Sequence, residues 1–203
     1  MTRNKPYIIG LTGGIACGKS NLTSALISCG AVVIDADEIS RAITAAGGLA
    51  LPGIRAAFGD GVFWGEELDR RKLAGLVFFD PSALKTLNAI THPLIFQEMH
   101  RQADQHVDQP ALVFDVPLLF ETGADKCCDE VWCAYAAREI QLERLLQRGL
   151  SEEEAIRRID SQMSTKEKAQ RSDHVIHTTG TKEESAAQAI ALWDSVLRRL
   201  ALV

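Results

Sequence analysis

The chain has 203 residues, 46% of them hydrophobic and 24% charged, which suits one compact globular domain with room for a small insertion. Its 22 basic and 27 acidic side chains leave a formal net charge of −5, which excludes an overall basic field for nucleic acid or an anionic membrane, so any phosphate site must be locally basic. There is no apolar run of about eighteen residues, the start of the chain lacks the look of a signal peptide, and the five cysteines lack paired C-x-x-C spacing, all of which fits a reducing cytoplasm better than a membrane or a disulfide framework.

Tyr7, Ile8, Ile9, Gly10, Leu11 and Thr12 form an apolar run suited to a buried strand. Gly13, Gly14, Ile15, Ala16, Cys17, Gly18, Lys19 and Ser20 then spell G-x-x-x-x-G-K-S, and residues 21–28 read as helix. Strand, glycine loop and helix are the context a phosphate-binding loop requires. Glycines let successive backbone N–H groups turn inward as an anion nest, and the helix N-terminus adds its dipole. Lys19 is placed to reach the β- and γ-phosphates, and the Ser20 hydroxyl to bind the Mg²⁺ that bridges them. Ala16 is expected to keep a negative φ, because a positive one strains any residue with a Cβ. Two readings of Cys17 stand, a thiol activated by Lys19 and the helix N-terminus or an inert small residue.

Gly30 closes the helix, and residues 31–34 give a second buried strand running into Asp35 and Asp37. Carboxylates at a strand's carboxyl end stand where open α/β sheets bind ligands. Either at least one of them takes part in catalysis, or both are caps, with Asp37 as the N-cap of a helix beginning at Glu38. Residues 40–107 lack long β-branched runs, and glycines and prolines break their helical periodicity, which points to an inserted helical subdomain. Within it Arg70 offers a cation, and His92 with Pro93 ends one helix and begins the next. Both also fit plain structural roles.

The core resumes at residues 111–116. Asp115 lies late in this apolar strand, as a metal-side or substrate-side group, and Pro117, followed by Leu118 and Leu119, stops the ladder. Residues 131–136 make a fourth strand. Residues 138–147 form an amphipathic helix with Ile140, Leu142, Leu145 and Leu146 on its apolar side and Arg144 and Arg148 exposed a turn apart. A second helix starts at Ser151 and carries Arg157 and Arg158. Jointed at Gly149, the two helices read as a lid over a triphosphate, or as a salt-bridged surface pair. Residues 173–180 supply a fifth strand and turn, and a last helix over 182–200 has Ala187, Ile190, Ala191, Trp193 and Leu197 as packing positions.

The loop at 10–20, the D-A-D at Asp35 to Asp37, the H-P-L-I from His92 and the P-L-L-F-E from Pro117, in this order and with stretches 68–73, 141–148, 158–168 and 173–176, closely resemble the dephospho-CoA kinase family over essentially the whole chain. The resemblance implies an α/β P-loop NTPase three-layer fold with a five-stranded parallel sheet. Residues 1–39 and 108–203 would form the nucleotide-binding core, 40–107 the helical substrate subdomain and 141–165 the lid. It implies ATP-dependent phosphorylation of the ribose 3′-hydroxyl of dephospho-CoA in the cytoplasm, with Mg²⁺ as cofactor, by a monomer or small homo-oligomer that needs neither nucleic acid nor membrane. Under it, Asp37 orients or deprotonates the hydroxyl and Asp35 assists, with Ser20, through Mg²⁺. Lys19, Asn21, Arg144 and Arg148 carry the nucleotide along with the loop itself, and Arg70, His92, Pro117, Leu118 and Leu119 lie on the acceptor side. The chain departs from the family pattern at Ala16 and Cys17, and at Thr178, where an Asn is usual two residues past Val175 and Ile176. From the residues alone, a P-loop kinase of another small hydroxyl acceptor and a nucleotide-dependent switch also accommodate the loop. The paired acids and the separate subdomain favour an acceptor.

Overall fold

The computed structural model describes residues 5–201, so the expectation for Met1, Thr2, Arg3 and Asn4 lies outside the described residues. The elements begin with β1 (Tyr7–Gly13), α1 (Lys19–Ser28), β2 (Val32–Asp35), α2 (Ala36–Ile43) and α3 (Leu51–Phe58). A hairpin of β3 (Phe63–Trp64) and β4 (Glu67–Leu68) leads to α4 (Arg70–Phe79) and α5 (Pro81–Asp104). There follow β5 (Ala111–Asp115), α6 (Leu119–Thr122), β6 (Glu130–Tyr135), α7 (Arg138–Gln147), α8 (Glu152–Asp160), α9 (Thr165–Arg171), β7 (His174–His177) and α10 (Lys182–Ala201). The chain divides into two compact units, one of Met1–Ile34 with Ala103–Val203, the other of Asp35–Gln102.

The first unit holds a five-stranded parallel sheet in the order β2-β5-β1-β6-β7. Its strands read as continuous apolar runs because helices cover them, as parallel sheets require. Ile9, Leu11, Leu22, Leu26, Val113 and Trp132 form the buried centre, and α10 packs beside α1 against it. The buried stripe of α10 is Ser185, Ala189, Trp193 and Val196, whereas the expected Ala187 and Ala191 are exposed. The stripe is set by the large Trp193, and residues four and eight positions before it share its face.

The central place of β1 matters for function. Leu11 lies level with Asp115 on one side and Trp132 on the other, so the loop after β1 emerges at a switch point where strand order reverses.

The second unit is mainly helical and also contains the two-residue-per-strand hairpin, which had no sequence signal beyond Gly65. A further correction concerns Pro93. It does not divide two helices, because α5 runs unbroken from Pro81 to Asp104 with Pro93 inside it. Proline removes the N–H that would bond the carbonyl four residues back, but one missing bond does not outweigh the many other bonds of a helix this long. Just before it, the Thr91 hydroxyl donates to the Leu87 carbonyl at 3.0 Å.

At the start of β6 a buried carboxylate ties three parts of the first unit together. Glu130 accepts from Tyr7 Oη at 3.1 Å, Trp132 Nε1 at 2.7 Å and Arg199 at 2.5 Å, and His174 Nε2 lies 3.2 Å away. Burial pushes its carboxyl pKa up, but the hydrogen bonds and the Arg199 charge outweigh this and the net direction is down. A depressed carboxylate contributes stability that is present above the unfolded value, here 4.5, and is lost as pH falls through the folded one. Glu130→Gln should therefore cost on the order of 2 kcal/mol at neutral pH, and the gap to wild type should close as urea midpoints are measured from pH 6 down to about pH 3. A gap that stays constant with pH would refute this account.

Candidate active site

The loop from Gly13 to Ser20 is held from behind by side chains of α7 and of the segment after β7. The Ile15 carbonyl accepts from Gln141 Nε2 at 2.7 Å, the Ala16 carbonyl from Arg144 at 3.1 Å, and the Cys17 carbonyl from Thr178 Oγ1 at 2.8 Å. Three successive carbonyls thus turn outward. The N–H groups of Ala16, Gly18, Lys19 and Ser20 have no protein acceptor among the described residues, so they make up the nest that a phosphate group fits.

This geometry overturns the expectation for Ala16, whose φ is +60°. Left-handed backbone costs a residue with a Cβ about 1–2 kcal/mol. The alternation of backbone conformation is what points neighbouring N–H groups the same way, and two gains offset its cost. The Ala16 carbonyl gains Arg144, and its methyl is buried with Leu145, Ala155 and Ile159. Gly18, at φ +76°, takes the other left-handed position at the mouth of α1. Gly14 is required for a different reason, since a Cβ there would lie 2.5 Å from Thr165 Oγ1 and 2.7 Å from Gln141 Nε2. Cys17 is buried, with Sγ 3.5 Å from Thr165 Oγ1, so its thiol faces protein rather than solvent.

Lys19 forms an ion pair with Asp115, which is itself buried and accepts from Thr23 Oγ1 at 2.8 Å. The pairing follows from strand order, because Asp115 ends β5 beside β1. Ser20 is exposed at the first turn of α1. The Asn21 side-chain amide donates to the Lys182 carbonyl at 2.8 Å and to Ser185 Oγ at 3.1 Å, which joins α1 to the start of α10.

Arg144 and Arg148 differ from the exposed pair expected. Arg144 is half-buried and spans the Ala16 carbonyl, Thr178 Oγ1 and the Thr178 carbonyl. Arg148 is the exposed C-cap of α7. Both line a cleft of about 440 Å³ with Gly18, Asn21, Thr178 and Lys182, a volume within the range of small-ligand sites. Arg157 and Arg158 on α8 instead pair with Glu153 and Glu154 one turn earlier, an exposed surface arrangement. Leu146, expected on the apolar side of α7, is 42% exposed, and the buried positions there are Gln141 and Leu145.

The Pro117 carbonyl accepts from Thr12 Oγ1 at 3.0 Å, which anchors the segment after β5 to the end of β1, just before the phosphate loop. Leu119 is buried and Leu118 exposed.

In the second unit, Asp35 and not Asp37 caps α2. Asp35 Oδ1 accepts from the N–H groups of Asp37 at 2.7 Å and Glu38 at 3.2 Å. The helix starts two residues earlier than expected because Asp35 leaves β2 in an extended conformation, as an N-cap does. Asp37 is then exposed in the first turn. Arg70 donates to the Arg41 and Thr44 carbonyls, both at 3.2 Å, and so closes the other end of α2. His92 is half-buried on α5, its ring centroid 6.4 Å from that of Phe96, and burial holds its pKa below 6.5. Thus Asp35 and Asp37 stand at the start of α2 and Arg70, from α4, bonds its far end, and among the described residues no hydrogen bond or ion pair joins His92 to them.

Residues that sequence reasoning gave no role are Gln141, Gln162, Thr165 and Thr178. Gln162 Oε1 accepts the Ile15 N–H at 3.0 Å, and Thr165 Oγ1 donates to Gln141 Oε1 at 3.1 Å. For Gln141 a signal existed, since it stands one turn before Leu145 on the buried face of α7.

A family model described as dephospho-CoA kinase matches residues 7–184. A dephospho-CoA kinase of Symbiobacterium thermophilum is 45% identical over 92% of this chain and 80% of its own length. Among solved structures, TT1252 from Thermus thermophilus is 34% identical with a TM-score of 0.82, covering 97% of this chain and 98% of that one. A dephospho-CoA kinase from Campylobacter jejuni is 28% identical with a TM-score of 0.62, covering 94% and 97%. With its phosphate loop, the side chains of α7 and Thr178 that clamp it, and these relatives, the chain belongs to the dephospho-CoA kinase family.

Proposed function

We propose that the protein transfers the γ-phosphoryl group of ATP to the ribose 3′-hydroxyl of dephospho-CoA, giving CoA and ADP, in the cytoplasm and as a monomer or small homo-oligomer. The observation that carries this reading is the phosphate loop with its carbonyls clamped outward and its N–H groups turned in. Membership of the family supplies the acceptor. The five free cysteines accord with a reducing compartment.

Transfer of a phosphoryl group is loose and largely dissociative, so the protein's work is positioning and charge stabilisation. The inward N–H groups hold the β-phosphate. Lys19 leaves Asp115 for the β- and γ-phosphates, exchanging one anionic partner for another. The cleft between Arg144, Arg148 and Thr178 receives the nucleotide base, and Arg148, exposed at the joint of α7 and α8, closes toward the transferring group. In the unit of Asp35–Gln102, Arg70 and His92 are the residues assigned to dephospho-CoA; in the first unit, Leu118 and Leu119 are the apolar residues so assigned.

Mg²⁺ fits the donors present, because Ser20 offers a hydroxyl and Asp115 a carboxylate, hard oxygens of the kind this ion takes alongside nucleotide phosphates. When bound, the ion neutralises developing phosphate charge. Asp35, read from sequence as a metal-side group, has one oxygen committed to capping α2 and serves to hold Asp37 at the first turn. Asp37 accepts the acceptor hydroxyl and aligns it for attack.

Asp37→Asn should retain ATP affinity, read by calorimetric titration, and lose most turnover in a coupled ADP assay with dephospho-CoA. Near-normal turnover would remove Asp37 from this role. Lys19→Met should have two separable effects. It leaves the buried Asp115 carboxylate without its cation, at a cost on the order of 3 kcal/mol in stability. Adding Asp115→Asn should restore much of the melting temperature and none of the turnover. Recovery of both, or of neither, would show that Lys19 acts only through folding or that Asp115 is not its stabilising partner.

A further inference from the structure

Among the described residues, Lys168 is the one lysine whose side chain is wholly enclosed, with none of its surface exposed. It stands in α9, and its ammonium donates to the Pro117 carbonyl at 2.5 Å and to Glu121 Oε1 at 2.9 Å. The same Glu121 oxygen accepts the Met163 N–H at 3.0 Å. An ammonium taken fully out of water is expensive, and pairing it with a carboxylate seldom yields net stability over an apolar side chain of like size. What the charge adds is direction.

The direction has an object. The β5 ladder ends at Asp115, and the Val116 N–H makes one more bond, 2.9 Å to the Leu11 carbonyl. Pro117 has no N–H to continue it. From there the acceptor-side strap of Pro117, Leu118 and Leu119 is fixed through the Pro117 carbonyl, which accepts from both Thr12 Oγ1 and Lys168.

The first residue of α9 grips the phosphate loop. Thr165, three residues before Lys168 and so on the same face, is buried and donates to Gln141, which in turn holds the Ile15 carbonyl. Just ahead of α9, Gln162 takes the Ile15 N–H. One short helix therefore holds the donor-side loop through Thr165 and the acceptor-side strap through Lys168.

We infer that Lys168 is a positioning residue, which sets the Pro117–Leu119 strap in register with the phosphate loop. The inference rests on the proposed reading that this strap meets dephospho-CoA. A misplacement of about 1 Å costs a transfer reaction on the order of 100-fold, so loss of the ammonium should appear in the acceptor term.

The test is Lys168→Met, which keeps the stem and removes the charge. Wild type is assayed first for ADP release dependent on dephospho-CoA. No such dependence would defeat the proposed function itself, whatever the variant does. Given it, the variant should lose on the order of 100-fold in kcat/KM for dephospho-CoA, with ATP affinity held to within about threefold and slow acceptor-independent ATP hydrolysis retained. Equal losses for ATP and acceptor, or wild-type constants throughout, would overturn the assignment and leave Lys168 a structural residue. Should Lys168→Met fail to fold by circular dichroism, Glu121→Gln carries the same test. It keeps an acceptor for the Met163 N–H but removes the counter-charge that aims the ammonium, and the same split between acceptor and ATP is required of it.

Discussion

Three successive carbonyls turned away from the phosphate site are the constraint on which the nucleotide-binding unit depends. A nest works only if the backbone shows its N–H groups to the anion, and each peptide so turned must satisfy its carbonyl elsewhere. Here the partners come from far along the chain, Gln141 and Arg144 on α7 and Thr178 after β7. The loop is thus a short segment whose shape is written by later elements. This also explains how Ala16 sits where a glycine is easier. The left-handed turn is imposed by bonds on both sides, and the small methyl finds a buried place against Leu145 and Ile159.

Two lysines show how burial divides one chemistry into two uses. Lys19 and Lys168 each pair with a carboxylate in or just after β5, Asp115 for the first and Glu121 for the second. Lys19 keeps 17% of its side chain in contact with solvent, so it can trade its carboxylate for a phosphate at little further desolvation cost. Lys168 keeps none, and its partners include a backbone carbonyl that cannot leave. On the proposed reading the exchangeable pair serves ligand binding and the sealed one geometry.

The chain positions of the five core strands and the bounds of several core helices were legible because apolar runs and caps are local signals. The helix over Arg138–Gln147 appears with the expected bounds, and Ser151 caps α8 as its sequence suggests. The G-x-x-x-x-G-K-S pattern located the loop for the same reason. What stayed hidden depends on contacts between distant positions. The φ of Ala16 follows from Arg144, the cap of α2 from where β2 ends, and the burial of Lys168 from a carbonyl fifty-one residues away. Pro93 misled in the other direction, since a rule about one residue gave way to a helix of 24. Arg144 looked like half of an exposed pair because helical spacing shows which face a residue shares, and not what the neighbouring loop offers it.

Strand order links these features. Since β1 lies between β5 and β6, the loop leaving β1 has the end of β5 beside it, which puts Asp115 within reach of Lys19. The same placement makes β5 stop where the loop begins, and Pro117 ensures that no ladder carries the chain further. Beyond that point the backbone must be held by something other than sheet hydrogen bonds, and a flexible side chain at the surface would hold it loosely. A hydroxyl from β1 and a sealed ammonium from α9 meet that need at the Pro117 carbonyl. A buried charge that stability alone would not favour is therefore the consequence, on the proposed reading, of ending a parallel strand at the place where two substrates must be brought into line.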